Sequence, residues 1–260
     1  MSLIINQNID AMNAYRNLSV TQGQLSSSLE KLSSGFRINR AADDAAGLAI
    51  SEGLRSQVGG LSTAVKNAQD GISVAQTAEG ALTEVHSMLQ RMNDLAVQYN
   101  NGTQNTDSQA ALQSEFTALS SEIDRIQTTT KFNGVALFGG NAATNFQVGT
   151  DPTDVLAVDL SGKVDTSGLD ITDNTTVTAA ITATSTLRGN LGAIQNRFEH
   201  TINNLNVAVE NLSASEGRIR DTDMASEMVN FTRANILSQA GTAMLAQANQ
   251  APQSVLKLLQ

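Results

Sequence analysis

The residues of this chain whose types and spacing come closest to catalytic chemistry are two carboxylate clusters, Asp43 with Asp44 and Asp221 with Asp223. Paired carboxylates can divide the roles of general acid and general base. Each cluster, however, directly precedes a stretch of helical apolar periodicity, where side-chain oxygens accept hydrogen bonds from free backbone N–H groups. We therefore interpret these aspartates as helix-capping residues and predict no catalytic residue.

Four arginines lie in the same two stretches as these aspartates and are expected to pair with them. They are Arg37, Arg40, Arg218 and Arg220. Opposite charges held close together stabilise one chain conformation. The four aspartates and four arginines together are predicted to form a joint between an inner and an outer segment of the chain.

Metal and nucleotide chemistry have little support in the sequence. His86 and His200 are the only histidines, no HExxH motif is present, and the chain has no cysteine. A metal site would therefore have to rely on carboxylates alone. The glycine-rich motifs that hold nucleotide phosphates are absent as well. We predict ordinary helix-surface positions for both histidines, no metal site and no cofactor.

The elements that position these residues begin with the two chain ends, each of which carries an apolar stripe at helical spacing. A narrow stripe buries little area, and it offsets the entropy cost of ordering the chain only when several helices pack together. Each end is therefore predicted to need a partner. The stripe of the first end consists of Ile5, Ile9, Met12, Leu18, Leu25, Leu29 and Leu32. The stripe of the second end consists of Met224, Met228, Phe231, Leu237, Met244, Ala248, Ala251, Val255 and Leu258.

Three further apolar patterns predict a helical body between the ends. From Asp44 to Tyr99 the repeat is seven residues long, as in a coiled coil, and a helix over this stretch would run about 80 Å. Its repeating positions are Leu54, Leu61, Ala68, Ala75, Leu82, Leu89 and Ala96. The other two patterns span 112–126 and 187–212 and alternate steps of three and four residues. Three such stripes can form one antiparallel bundle core.

The stretch 131–178 differs from the rest because turn signals interrupt it. Asn133-Gly134 and Gly139-Gly140 favour turns, and 146–148 and 155–160 have strand-like composition. These features predict a small β-hairpin insert. The threonine-rich run 172–186 that follows is predicted to lie at the surface, where it could carry O-linked glycans.

Composition and charge restrict the classes of function. Aromatic residues make up 3% and tryptophan is absent, so a bulky globular core is not expected. The net charge of −9 divides into +2 over 1–40, +1 over 218–260 and −12 between them. An acidic body argues against nucleic-acid binding, and ends with few aromatic and basic residues argue against membrane binding. No apolar run is long enough to span a bilayer, and the first residues lack the pattern of a signal peptide, so classical secretion is not expected.

Four stretches of the sequence resemble bacterial flagellins. They are INQNIDAMNA at 5–14, LSSGFRINRAADDAAGLAIS at 32–51, FNG at 132–134, and the C-terminal pair RIRDTDMASEMV at 218–229 and AQANQAPQSV at 246–255. The resemblance implies a mainly α fold, a long coiled-coil-like helical bundle with a small β-hairpin insert. In that family a terminal two-helix pair, D0, forms the inner tube of the filament, and a three-helix bundle, D1, forms the outer tube.

The resemblance also implies domain boundaries. The D0 helices would be 1–43 and 218–260, and D1 would comprise helices at 44–138, a hairpin with a variable surface segment at 139–180, and a helix at 181–217. Larger flagellins insert outer domains where this chain has only the short segment. The apolar stripes would then pack in the filament core, and the aspartate and arginine clusters would form the D0–D1 joint.

The function implied by the resemblance is that of a structural subunit, not an enzyme. Terminal helices that cannot bury their stripes alone would be disordered in solution and would fold on joining a helical homo-polymer. Export through the flagellar type III channel to the extracellular flagellum would fit the missing signal peptide. The implied partners are the export apparatus, a chaperone for the C-terminal helices, and cap and junction proteins. The alternative within the same class is a hook–filament junction protein.

A segment at 89–98 resembles the part of flagellins that a host innate immune receptor recognises. By match of position, the contacts would be Gln90, Arg91 and Leu95, with Glu115 from the next helix. Arg91 and Leu95 are four residues apart and so share a helix face. The alternative is that Arg91 and Glu115 form a solvated pair that lines a contact between subunits.

Overall fold

The chain folds mainly into α-helices. The computed structural model describes residues 7–138, 144–160 and 162–258, with side chains described up to residue 250. The helices are α1 (Ile9–Ser34), α2 (Ala45–Tyr99), α3 (Thr106–Thr129), α4 (Asn174–Arg220) and α5 (Met224–Leu258). The strands are β1 (Lys131–Phe132), β2 (Val135–Ala136), β3 (Thr144–Gln147) and β4 (Val155–Val158). The predicted mainly α architecture with a hairpin is confirmed.

Two compact units divide the chain. The terminal unit comprises 1–56 and 212–260, and the central unit comprises 57–211. The terminal unit contains α1 and α5, and the central unit contains α3 and all four strands. No helix of the described residues is long and apolar enough to cross a membrane.

The ends of the helices follow from capping residues in the sequence. The Asn8 side chain accepts a hydrogen bond from the Ala11 N–H at the start of α1, and Asn105 does the same for Ser108 at the start of α3. Helix α1 ends at Gly35, whose φ of 76° lies in the left-handed region. Glycine adopts this conformation without the steric cost that a Cβ brings, so the chain can turn sharply there.

The seven-residue repeat of α2 coincides with its buried face. From Ala68 onward every predicted position of the first row is buried, through to Ala96. The earlier positions Leu54 and Leu61 are half-buried. The repeat therefore predicts the core-facing side of the helix, as expected for a helix that packs along one seam.

Side chains from several elements form two hydrophobic clusters in the central unit. The first joins the middle of α2 to α4 and the β3–β4 hairpin, with Phe198 at its centre. The second joins the C-terminal part of α2 to α3, the loop 162–173 and the start of α4. Phe146 of β3 meets Phe198 edge-on, with ring centroids 5.7 Å apart. The hairpin therefore contributes to the core as well as to the surface.

The two hairpins are antiparallel and differ in their turns. Strand β1 pairs with β2 across Asn133 and Gly134, whose φ angles are 47° and 81°. Positive φ at both central residues is the geometry of the type I′ turn, which Asn-Gly favours. Strand β3 pairs with β4 in the register Thr144 to Val158 and Gln147 to Val155.

The segment predicted as a variable surface region, 139–180, is partly buried, and its glycines at 139 and 140 lie outside the described residues. Its contributions to the core are Leu156, Val158, Leu160, Val164, Ile171 and Val177. Helix α4 also begins at Asn174, earlier than the predicted 181. Part of this segment therefore belongs to the core, because the loop after the hairpin supplies apolar residues that cover α2 and α3.

The threonine-rich run forms the first turns of α4. Its hydroxyl groups donate to carbonyl oxygens four residues earlier, as Thr178 does to Asn174 at 2.9 Å and Thr182 to Thr178 at 3.0 Å. Such local bonds satisfy the hydroxyl groups within the helix. Most of these threonines are exposed as predicted, but Thr184 is fully buried.

A buried amide ties the loop 162–173 to α3. Gln127 is almost fully buried, and its Oε1 accepts from the Val164 N–H at 2.8 Å while its Nε2 donates to the Val164 carbonyl at 3.2 Å. Next to it, Asp124 accepts from the Thr166 hydroxyl at 2.7 Å. This hydrogen bond lowers the pKa of Asp124, with help from Lys163. These contacts follow no periodic pattern in the sequence.

We predict opposite effects for two glycine substitutions in α2. A Cβ at Gly71 would lie 2.5 Å from Cζ of Phe198, which is fully buried and held against Phe146. A Cβ at Gly80 would meet nothing within 4 Å. Gly71→Ala should lower the free energy of unfolding by about 1–2 kcal/mol through overpacking. Gly80→Ala should raise it by up to about 1 kcal/mol through helix propensity.

Urea denaturation of the full chain, followed by circular dichroism, measures both effects. Gly80→Ala serves as the matched control because it makes the same chemical change in the same helix. A Gly71→Ala chain as stable as the Gly80→Ala chain would show that the contact between Gly71 and Phe198 does not limit the packing.

Candidate functional site: the paired terminal helices

The two ends of the chain meet as an antiparallel helix pair within the terminal unit. Helix α1 lies against α5, and polar contacts fix their register. The Asn8 amide donates to the carbonyl of Ala248 at 2.8 Å. The Ser238 hydroxyl donates to Oε1 of Gln22 at 3.3 Å. The partner that each end was predicted to need is, in part, the other end of the same chain. The ends are thus paired helices in this structure, which differs from the expectation that they are disordered before they join a polymer.

The seam between α1 and α5 consists largely of small residues. Ser28 of α1 and Ala234 of α5 are buried. A Cβ at Gly241 would lie 3.2 Å from Cδ1 of Leu18, so glycine allows the helices a close approach there. Half-buried residues at steps of three and four continue this line on both helices: Ala11, Ala14, Thr21, Leu25, Leu32, Phe231, Leu245 and Ala248.

The predicted stripe residues divide into two sets. Leu18, Leu25, Leu32, Phe231 and Ala248 are half-buried along the seam. The larger set is exposed: Ile9, Met12, Leu29, Met224, Met228, Leu237 and Met244. Ile5 lies outside the described residues, and the side chains of Ala251, Val255 and Leu258 are not described. On each helix, some of the predicted stripe residues therefore lie along the seam and others are exposed in the single chain. Their packing in a filament core stays a prediction.

Two shallow apolar grooves lie on the outside of this helix pair. The first runs along α5 and is lined by Met228, Val229, Thr232, Arg233, Ile236 and Leu237. The second contains Ile9, Met12 and Tyr15 of α1 together with Leu245 of α5. These grooves add to the exposed large apolar side chains of both helices, a feature found at sites of protein association.

A short backbone bridge joins the chain segments at one end of the helix pair. The Arg37 N–H donates to the Arg220 carbonyl at 2.6 Å, and the Thr222 N–H donates to the Gly35 carbonyl at 2.9 Å. Phe36 lies between these two bonds and pairs with Asp221. The bridge therefore brings together the two clusters that the sequence places in one joint.

The arginines of this bridge pair with glutamates, not with the predicted aspartates. The Arg220 guanidinium lies 4.7 Å from the ring centroid of Phe36 and donates to Glu52 at 2.8 Å. Arg40 donates to both carboxylate oxygens of Glu30, at 2.9 and 3.1 Å. The glutamates lie on neighbouring helix turns and have longer side chains, so they reach the guanidinium groups while the aspartates bond to backbone.

The other two arginines have local partners. The Arg37 guanidinium donates to the Ile219 carbonyl across the bridge at 2.5 Å. Arg218 is exposed and donates to the hydroxyl of Ser215, one helix turn earlier. Arg37 therefore reinforces the bridge, whereas Arg218 contacts only its own helix.

Two of the four aspartates cap helices as predicted. Oδ1 of Asp44 accepts from the Gly47 N–H at 2.9 Å at the start of α2. Oδ1 of Asp223 accepts from the N–H groups of Ala225 and Ser226 at the start of α5. A carboxylate in this position satisfies free N–H groups and interacts favourably with the helix dipole.

The other two aspartates do not cap a helix start. Oδ2 of Asp43 accepts from the backbone N–H groups of Arg40 and Asn39, and these bonds lower the pKa of Asp43. Asp221 contributes its backbone to the bridge, and its N–H donates to the Gly217 carbonyl. A carboxyl group whose pKa is lowered in this way is poorly suited to carry a proton near neutral pH.

The two histidines lie on different helices, and His86 is half-buried. Nε2 of His86 lies 3.1 Å from the amide nitrogen of Gln90, one turn along α2, and His200 is exposed on α4. Among the residues that the structure describes, no group of three His, Cys, Asp or Glu side chains is arranged to hold a metal ion.

Of the four predicted receptor contacts, three lie at the surface and one lies in the core. Arg91 of α2 and Glu115 of α3 form an ion pair at 2.7 Å with both side chains about half exposed. Gln90 is exposed beside them. Leu95 is fully buried among Met92 and its neighbours. The prediction that Leu95 contacts a receptor directly disagrees with this burial.

We predict that Arg220 holds the backbone bridge together. Arg220→Ala removes the contact with Phe36 and the ion pair with Glu52, which together contribute about 1–2 kcal/mol in a partly buried setting. The amide protons of Arg37 and Thr222 should then exchange about tenfold faster. Hydrogen exchange of the full chain measures this change.

Arg218→Ala is the matched control, because Arg218 lies two residues away and contacts only its own helix. It should leave exchange at both bridge amides unchanged. Equal acceleration by the two substitutions would assign the effect to the end of α4 in general and not to the contacts of Arg220.

Comparison with known proteins identifies the family. Residues 5–143 match the bacterial flagellin N-terminal helical region, and residues 175–259 match the bacterial flagellin C-terminal helical region. The chain is 55% identical to a flagellin of Halalkalibacterium halodurans, with 99% of this chain and 100% of the relative covered.

Two further relatives agree. The chain is 48% identical to a flagellin of Bacillus subtilis, over 98% of this chain and 99% of the relative. It is 45% identical to a flagellar filament 33 kDa core protein of Treponema phagedenis, over 99% of this chain and 100% of the relative. The matches reach both terminal helices and the body between them, so the chain belongs to the bacterial flagellins, a family of structural proteins and not of enzymes.

Proposed function

We propose that this flagellin polymerises through the apolar surfaces that α1 and α5 leave exposed, and that these surfaces pack against other copies of the chain in the core of the flagellar filament. The observation that carries the proposal is the exposure of large apolar side chains on a helix pair that is already formed. Val229 is 57% exposed and Ile236 is 61% exposed, on the side of α5 that forms the groove.

The physical argument concerns what one helix pair can bury. A seam in which small residues alternate with a few half-buried leucines and Phe231 removes only part of the apolar area of the two helices from water. A second layer of helices would cover the grooves and remove the remaining apolar surface from solvent. If the grooves receive a different surface of the next copy, the contact does not close on itself and produces a filament.

The distribution of charge supports the same arrangement. The ends carry a small net charge, whereas the body between them carries −12. Burial of a charge is unfavourable unless it is paired, so a sparsely charged segment suits an interior position. We assign the terminal helices to D0 and 44–217 to D1 on this basis, with the bridge residues as their joint. The compact units have slightly different limits, since the terminal unit also contains 44–56 and 212–217.

The proposal includes the route to the filament. We infer that the chain leaves the cell through the flagellar type III channel with its ends unfolded, and that a chaperone covers the C-terminal helix before export. The exposed groove on α5 is the surface that such a chaperone would have to cover. Cap and junction proteins would meet the same terminal helices at the two ends of the filament. The junction protein itself is the less favoured function, because relatives named as flagellins match the whole chain.

We predict that polar substitutions in the α5 groove prevent assembly without disturbing the helix pair. Val229→Asn combined with Ile236→Asn removes two large apolar side chains that touch solvent in the single chain. The far-ultraviolet circular dichroism spectrum should stay unchanged. The critical concentration for filament growth should rise at least about tenfold, since burial of an unpaired polar group is unfavourable.

The matched control is Gln239→Asn combined with Gln247→Asn, which introduces the same residue at exposed polar positions of the same helix. Seeded growth followed by light scattering and electron microscopy compares the two variants. Normal filaments from the groove variant would overturn the proposal.

A second function, recognition by a host innate immune receptor, is supported by the exposed ion pair of Arg91 and Glu115. We propose that this pair and Gln90 form the contact surface in the monomer, and that the buried Leu95 holds α2 in place beneath it. The side chains form a continuous polar patch across α2 and α3. Because the patch lies on packed helices, its geometry is available before any partner binds.

We predict that Arg91→Ala lowers receptor signalling by the monomer at least about tenfold, because it removes the charged centre of the patch. Reporter cells that express the receptor provide the measurement. Arg125→Ala is the control, since Arg125 forms a comparable exposed pair with Glu122 on α3. If Arg91→Ala signals as strongly as the unchanged chain, the patch is not the receptor contact.

A further inference from the structure

Methionines are concentrated on the exposed surfaces of the terminal helices. Met12 of α1 is 68% exposed and Met244 of α5 is 66% exposed, and Met224 and Met228 of α5 are about half exposed. Met92, in the central unit, has no exposed surface. The exposed thioethers therefore lie on the helices whose surfaces the proposed function buries, and two of them line the apolar grooves.

We propose that these four methionines are sites of reversible oxidation to methionine sulfoxide, and that their oxidation prevents a free subunit from joining the filament. The inference rests on the proposed function, because it requires the exposed faces of α1 and α5 to become buried during assembly. The inference adds a chemical modification of the same surface that decides whether this surface can be buried.

The oxidant is hydrogen peroxide or another two-electron oxidant of that class. The thioether sulfur attacks one peroxide oxygen, the O–O bond breaks, and a new S–O bond forms. The sulfur loses two electrons, the peroxide is reduced, and water leaves with the second oxygen and both protons. The chain has no cysteine, so no thiol of the same protein competes for the oxidant.

Exposure determines which methionines react. A thioether on an outward helix face meets the oxidant directly, whereas Met92 is enclosed by the cluster that joins α2 to α3. Met88 packs half-buried against the same cluster and provides an intermediate case. The expected order of oxidation is therefore the four terminal methionines first, Met88 later and Met92 last.

Oxidation turns the apolar surface around each methionine into a polar one. The thioether is a flexible apolar group that adapts to an irregular contact, and the sulfoxide is polar and accepts strong hydrogen bonds. In the second groove Met12 lies beside Ile9, Tyr15 and Leu245, and in the first Met228 lies beside Val229 and Ile236. A sulfoxide in either place must give up its hydration when a neighbouring subunit covers it.

Free and assembled subunits should therefore differ in their sensitivity to the oxidant. Subunits in solution expose all four thioethers, whereas those in a filament would have them covered by neighbours. The same dose of oxidant should therefore block growth when it is added before assembly and leave existing filaments intact when it is added afterwards.

The first experiment maps the modification. The full-length monomer is treated with limiting hydrogen peroxide, and peptide mass spectrometry measures sulfoxide at each position. We expect Met12, Met224, Met228 and Met244 to reach half conversion at least about tenfold sooner than Met92, in line with their exposure. Equal rates at Met12 and Met92 would overturn the inference.

The second experiment measures assembly. Treated and untreated monomers are compared for seeded growth, and a further treated sample is repaired with methionine sulfoxide reductases A and B, which together reduce both sulfoxide epimers. We expect treatment to raise the critical concentration at least about tenfold and repair to restore it. Normal growth of the treated monomer would overturn the inference.

Leucine variants assign the effect to the four positions. The variant M12L, M224L, M228L, M244L cannot form these sulfoxides, so its ratio of treated to untreated growth should be close to one. Each variant is compared with its own untreated sample, so a change in basal growth cancels. The control M88L should stay as sensitive as the unchanged chain. Equal inhibition of the quadruple variant would place the critical oxidation elsewhere and refute the proposal.

A different set of results would show that the proposed assembly through α1 and α5 is itself wrong. If untreated monomers do not grow from seeds, or if the Val229→Asn, Ile236→Asn variant grows normally, the proposed burial of the α1 and α5 surfaces is wrong and the inference falls with it. If both of those tests succeed and the treated monomer still grows, only the oxidation proposal is refuted.

Discussion

The terminal unit depends on one packing constraint, which is that α1 and α5 meet through small side chains. Ala234 and Ser28 are buried, and Gly241 gives Leu18 room to approach. Small residues alternate with half-buried large ones along the seam, and many other large residues of both helices face away from it. The pair therefore folds together without burying most of its own apolar surface, and the surface left over is the feature that the proposed assembly requires.

The backbone bridge sets the register of this pair. Gly35 ends α1 with a left-handed residue, and the next residues turn back to bond with Arg220 and Thr222. The bonds at this end of the pair and the bond from Asn8 to Ala248 at the other end fit one antiparallel alignment. A shift of either helix along the other would break contacts at both ends, so the exposed faces are presented in a defined arrangement.

The sequence predicts the long helices well because their cores obey a simple period. The repeat of α2 coincides with its buried face from Ala68 to Ala96, and Asn133-Gly134 adopts the turn that its residue types favour. It does not predict which apolar residues face the seam of the terminal pair, because large and small residues recur at the same three- and four-residue spacing on these helices. The signal that was available is the line of small residues at the same three- and four-residue spacing.

The contacts of the loop 162–173 could not be predicted for a different reason. Gln127 holds this loop through two hydrogen bonds to Val164, and Asp124 through one to Thr166, between residues far apart in sequence. Such contacts have no period and use residue types that are common on helix surfaces. The apolar residues of the loop, such as Ile171, were likewise assigned to the surface because turn signals surround them.

Several carboxylates of this chain serve as hydrogen-bond acceptors for backbone and hydroxyl groups. A catalytic carboxyl group must exchange a proton near the working pH. Hydrogen bonds to Ser167 and Thr175 lower the pKa of Asp165 and of Asp173, and backbone N–H groups lower that of Asp43. These groups are held as ionised acceptors that fix turns. The same residue types that first suggest acid–base chemistry therefore shape the backbone, and the interactions left for function are the apolar surfaces of the terminal helices.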